Sequence, residues 1–125
     1  MQQITRILIL AILALAGPAL AAGSISVEAL AERIANGKAP MIIDVRSEDE
    51  YLAGHVPGAQ LIPHDQMGSY VEGLSANKDA EIVLYCKSGR RAGMASDVLE
   101  AAGFSNLKIL DGSFQAWSAA GKPVK

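Results

Sequence analysis

Apolar and polar positions along this chain switch repeatedly between a helical and an extended period. Val27, Leu30, Ala31 and Ile34 recur at i, i+3, i+4 and i+7. That spacing predicts a helix over about Val27 to Asn36, with Ser26 as its cap and Gly37 as its stop. Met41-Ile42-Ile43-Asp44-Val45 is a nearly unbroken apolar run, the pattern of a strand buried on both faces. Ser47-Glu48-Asp49-Glu50 reads as a capping box opening a second, short helix. A turn over Gly54 to Ala59 leads to a brief strand at Gln60-Leu61-Ile62, and His64 to about Glu72 reads as helical or irregular. Glu81-Ile82-Val83-Leu84-Tyr85 is the clearest strand. It runs through Cys86-Lys87-Ser88-Gly89-Arg90-Arg91 into a helix whose buried stripe is predicted to be Ala92, Ala95, Val98, Leu99 and Ala102. Asn106 to Leu110 is a further strand, and Ser113 to Ala120 a last helix between a serine cap and Gly121. Strands alternating with helices predict an α/β fold, a central parallel sheet with helices on both faces. Chemistry in such sheets gathers beyond the carboxyl ends of the strands, where Asp44 and Cys86 both fall.

Ahead of this alternation, residues 1–22 follow a different rule. Arg6 supplies a positive charge, Ile7 to Ala16 an apolar run, Gly17-Pro18 a helix break, and Ala19-Leu20-Ala21 a small-x-small cleavage pattern. The segment is expected to be a signal peptide, which makes residues 23–125 the mature domain and the location exported, in the periplasm. The apolar run is shorter than the roughly 20 residues that span a bilayer, so no stable membrane insertion is expected after cleavage. An uncleaved N-terminal anchor is the competing expectation.

Composition narrows the partners. The 125 residues carry 11 basic and 13 acidic side chains, a net charge of −2, with no basic stripe of the kind nucleic acid requires. Two histidines and one cysteine, widely spaced, offer no metal-ligand pattern, and no cofactor is expected. A single cysteine excludes an internal disulfide. Cys86 is then either a packed structural residue or a thiol kept for chemistry.

Its neighbours favour chemistry. A tight loop between a strand and a helix turns several backbone N–H groups toward one point, and the helix adds the positive end of its dipole. Gly89 permits a backbone shape closed to other residues, and Lys87, Arg90 and Arg91 bring formal positive charge. Such surroundings favour thiolate over thiol. Two arginines in the first turn of a helix oppose its dipole, and an anionic ligand gives them a reason.

At these residues the chain resembles the rhodanese family, over nearly the whole of 23–125. Ile42-Ile43-Asp44-Val45-Arg46 with Glu50-Tyr51 and Gly54 to Ala59 resembles the family's N-terminal signature, and Tyr85 to Ala92 its active-site loop. Ala102-Gly103-Phe104 is similar to its helix exit, and Phe114-Gln115-Ala116-Trp117 with Ala120 to Val124 to its C-terminal signature. One departure stands out. Where the family commonly has two glycines before the C-terminal aromatic, this chain has Asp111-Gly112-Ser113.

The resemblance implies a rhodanese-like domain acting as a sulfurtransferase. Cys86 would take sulfane sulfur from thiosulfate or a related donor as a persulfide and pass it to a thiophilic acceptor: cyanide, a small thiol or a protein thiol. It implies that Lys87, Ser88, Gly89, Arg90 and Arg91 bind substrate, with Arg91 the main anion-binding side chain, and that Asp44 and Arg46 support the loop. A helix or turn cap is the plain alternative for Asp44. His55 reads as structural, His64 as a surface residue and Trp117 as core. Two rival functions use the same cysteine. A non-catalytic sulfur carrier or binding module would hold the sulfur without turnover. A phosphatase or arsenate reductase would need an arginine at the sixth position after the cysteine, where this chain has Ala92.

Overall fold

The structure, a computed structural model, describes residues 21–125, so nearly all of the signal-like segment lies outside the described residues. Five parallel strands form one sheet: β1 Gly23–Ile25, β2 Met41–Asp44, β3 Gln60–Leu61, β4 Ile82–Tyr85 and β5 Leu107–Leu110, in the order β1-β5-β4-β2-β3. The helices are α1 Val27–Ala35, α2 Glu48–Ala53, α3 Arg90–Ala101 and α4 Ser113–Ala119. The stretch after β3 is not α-helical; it is made of 3-10 turns at His64–Tyr70 and Ser75–Asn77. None of the described helices is long and apolar enough to cross a membrane.

The strands are apolar throughout because the sheet is covered on both faces, and their two-residue period sorts them between two cores. Ile43, Val45, Ile82, Leu84, Cys86 and Leu107 pack against Ala92, Ala95 and Leu99 of α3 and against Met67. Ile42, Val83, Tyr85 and Leu110 face the other way, against Leu30 of α1 and Trp117 of α4. Trp117 also anchors the chain end, its Nε1 donating to the carbonyl of Pro123 at 2.7 Å.

Two local expectations need correction, and one strand has no counterpart among them. β1 was not anticipated: Ile25 is its one buried residue, too little for a pattern, and the strand exists by pairing with β5. In α3 the buried stripe takes Ser96, which is 4% exposed, in place of Val98, which is 38% exposed. Position 96 completes the i, i+3, i+4, i+7 set begun by Ala92, and its hydroxyl is satisfied by donating to the carbonyl of Gly93 at 3.2 Å. Ser113 is not the cap of α4. That place belongs to Gly112, and Ser113 is the first residue of the helix.

Candidate active site

Cys86 follows β4 and continues its alternation, so its side chain points toward α3 on the same face as Ile82 and Leu84. The loop that follows folds back over it. Gly89, at φ +123°, is the cap of α3 and makes a turn that a side chain would strain. The result is that two backbone donors reach the sulfur: Gly89 N–H at 3.0 Å and Ala92 N–H at 3.4 Å from Cys86 Sγ. Together with the N-terminal end of α3, they stabilise negative charge on that atom. The N–H groups of Lys87, Ser88, Arg90 and Arg91 have no hydrogen-bonded acceptor among the described residues. The loop therefore has donors left for an anion.

The start of α4 fixes the nucleophile's backbone. Phe114 N–H donates to the carbonyl of Cys86 at 2.9 Å and Gln115 N–H to that of Lys87 at 3.0 Å. These are otherwise orphan donors of a helix's first turn. The hydroxyl of Ser113 accepts from the N–H of Cys86 at 3.2 Å.

Cys86 is only 1% exposed, and it lies in the wall of an open cleft of about 460 Å³. Lys87, Ser88, Arg90 and Arg91 line the same cleft, together with His64 and Met94. Lys87, Ser88 and Arg90 are exposed there. Arg91 is engaged differently. Its guanidinium grips Glu50 of α2 with both nitrogens, Nη1 to Oε1 at 2.8 Å and Nη2 to Oε2 at 3.1 Å. The Arg91 hydrogen bond, reinforced by the Ser47 cap, pulls the Glu50 carboxyl down to about 2. The same bond raises Arg91 above its ordinary value. Arg91 thus borders the cleft with its charge balanced by Glu50, whereas the N–H groups named above and the Lys87 and Arg90 side chains have no protein partner among the described residues.

Asp44 and Arg46 sit in a different place from the loop. Parallel register sets Asp44 beside Tyr85, one residue out of phase with Cys86, and so on the opposite face. Asp44, fully buried, accepts from Arg46 N–H (2.9 Å), Nε (3.0 Å) and Nη2 (2.7 Å) and from the Tyr85 hydroxyl (2.7 Å). Arg46, 4% exposed, also donates to the carbonyl of Gly54 at 2.7 Å, and its guanidinium lies 4.1 Å from the ring centre of Phe114. Burial pulls Arg46 down, but the hydrogen bonds and charge of Asp44 more than offset it and the net shift is upward. Burial, then Asp44, pushes the Tyr85 hydroxyl far above its usual range. This cluster ties β2, the end of α2 and the base of α4 together, and Asp44 makes no bond to the loop amides. Arg46, which Asp44 holds, lies against Phe114, and the N–H of Phe114 donates to the Cys86 carbonyl.

The histidines divide. His55 stacks on Tyr51, ring centres 3.7 Å apart, and its Nδ1 donates to the Tyr51 carbonyl at 2.9 Å. His64 is half-buried and faces the Cys86 cleft, a role the sequence reading missed. The available signal was its place just after β3, at the carboxyl edge of the sheet where sites gather. Ser113 was also missed, and it is the only described residue other than glycine with a positive φ, +53°. A left-handed backbone of this kind costs a non-glycine residue on the order of 1 kcal/mol.

Comparison with known proteins places this geometry. The profile of the "rhodanese-like domain" matches residues 26–120. The thiosulfate sulfurtransferase GlpE of Pseudomonas fluorescens is 31% identical over 77 residues, 62% of this chain and 69% of that protein. A sulfurtransferase of Allochromatium vinosum is 29% identical over 97 residues, 78% of this chain and 89% of its own. The crystal structure of the Alr3790 protein from Anabaena superposes with a TM-score of 0.72 at 30% identity, covering 81% of both chains. Matched from α1 through α4, with the Cys86 loop inside the matched region, this chain belongs to the rhodanese-like domain family.

Proposed function

We propose that this domain is a sulfurtransferase working through a Cys86 persulfide. The Cys86 thiolate attacks the outer sulfur of thiosulfate or a related donor. A new S–S bond forms at Sγ as the donor's S–S bond breaks, and sulfite leaves with the electron pair. An acceptor nucleophile, such as cyanide or a thiol, then attacks the outer sulfur and restores the thiolate. Lys87 and Arg90 draw the anionic donor into the cleft, and the free N–H groups of the loop receive the outer sulfur.

The observation that carries this reading is the pair of backbone donors on Sγ inside a loop with further N–H groups to spare. Relatives named as sulfurtransferases at about 30% identity support it from a separate direction. Loop length argues against a phosphatase. The sixth residue after Cys86 is Ala92, whose N–H is spent on the sulfur, and the Arg91 guanidinium is bound to Glu50.

Turnover separates catalysis from carriage. Purified protein should give thiocyanate from thiosulfate and cyanide, and Cys86→Ser should give none. Sulfur loaded at Cys86 without thiocyanate would replace the enzyme by a carrier. Thiocyanate formation undiminished in Cys86→Ser would refute both. We further propose that residues 1–22 direct export to the periplasm, which the N-terminus of the protein isolated from cells tests.

A further inference from the structure

We infer that Ser113 is a positioning residue for the nucleophile, holding the Tyr85–Cys86 peptide so that the sulfur meets its two backbone donors. This rests on the proposed sulfur chemistry at Cys86.

The starting point is a residue in a conformation that does not suit it. Residues 112 and 113 both have left-handed backbones, at φ +71° and +53°. At 112, glycine is required twice over, by its φ and by space: an added Cβ would lie 2.5 Å from that of Ala116. Glycine would relax 113 as well, yet the chain keeps serine there, completely buried. The hydroxyl gives the reason. Val45 N–H pairs with the Tyr85 carbonyl at the top of the β2–β4 ladder, and beyond it the strand has no further rung for the Cys86 N–H. Ser113 Oγ supplies that acceptor at 3.2 Å.

The adjacent bonds show what is fixed. The Cys86 carbonyl is held by Phe114 N–H and the Lys87 carbonyl by Gln115 N–H, both from the first turn of α4. With Ser113 on the N–H side, three consecutive residues of one helix clamp the two peptide groups of Cys86 and the one that follows. The orientation of the Cα–Cβ bond follows from those two peptides, and so does the approach of Sγ to the amides of Gly89 and Ala92. With glycine at 113 the N–H side of the clamp is lost, although the backbone relaxes. Stability and chemistry are therefore expected to move apart.

The test compares Ser113→Gly and Ser113→Ala in the full chain. Alanine keeps the strained backbone and removes the acceptor; glycine relieves the strain as well. The glycine variant should melt within about 5 °C of the wild type, and above the alanine variant. Both should load sulfur from thiosulfate about tenfold more slowly at saturation, with KM unchanged, because neither touches the donor. Equal slowing at unequal melting temperatures is the signature of positioning. A glycine variant that loads sulfur at the wild-type rate, or that changes KM alone, overturns the inference. If the alanine variant does not fold, the glycine variant decides alone. Alkylation of Cys86 by iodoacetamide at pH 7 gives a readout independent of sulfur transfer. If wild-type protein takes no sulfur from thiosulfate, the proposed function fails, while slowed alkylation in Ser113→Gly still supports positioning and an unchanged rate rejects it.

Discussion

Replacing Asp44 by alanine tests the buried cluster beneath the site. The carboxylate is fully buried and accepts from three donors of Arg46 and from the Tyr85 hydroxyl. Removing it leaves a guanidinium that is 4% exposed without its counter-charge. Breaking a buried pair in this way costs about 3–5 kcal/mol, and a buried hydroxyl left without its acceptor adds on the order of 1 kcal/mol. Arg46 keeps one carbonyl, that of Gly54, which offsets part of the loss. We expect a net cost of about 4 kcal/mol, a large share of the roughly 5–15 kcal/mol that holds a domain together. With a urea m-value near 1.5 kcal/mol/M, the unfolding midpoint followed by circular dichroism falls by about 2.7 M. The double variant Asp44→Ala/Arg46→Met removes both charges and should recover more than half of that cost, since the two residues share one network. A loss below about 1 kcal/mol in the single variant, or a double variant as unstable as the single one, would refute the reasoning.

Glu50 sets a pH dependence. Its carboxyl lies near 2 in the folded protein against the usual 4.5, so the folded state binds fewer protons between those values. The stabilisation is complete above about pH 4.5 to 5 and fades as pH falls toward 2; with both partners partly exposed it amounts to about 1 kcal/mol. Glu50→Gln should flatten acid unfolding in that window, and an unchanged profile would show that the pair is inert. Because Glu50→Gln also frees the charge of Arg91 beside the cleft, KM for thiosulfate should fall a few-fold at low ionic strength and return at high salt. Gly112→Ala should cost about 2 kcal/mol, measured by urea unfolding, because its Cβ would collide with Ala116 in a left-handed backbone.

Much of the fold was legible because the strands are apolar runs and the helices keep their period. The Cys86 loop was legible for a local reason: strand, glycine-bearing turn and basic helix start adjoin in sequence. What escaped depends on residues that meet only in space. β1 is a strand because β5 offers it an edge, not because Gly23-Ser24-Ile25 carries a pattern. Val98 is the better apolar residue, but the helix axis buries Ser96. The side on which Asp44 acts follows from its register with Tyr85, which the sequence does not print. Nothing near Arg91 announces Glu50, 41 positions away, and a capping box looks complete without a third partner. The Asp111-Gly112-Ser113 departure was visible in the chain, but its meaning was not, because a serine before a helix reads as a cap until its backbone is seen.

The central claim is that Cys86 carries sulfur, and intact mass spectrometry after exposure to thiosulfate tests it most directly. Wild-type protein should gain the mass of one sulfur atom, lose it on adding cyanide with release of thiocyanate, and show no gain in Cys86→Ser. A wild-type mass that does not change in thiosulfate, or an equal gain in Cys86→Ser, would contradict the account.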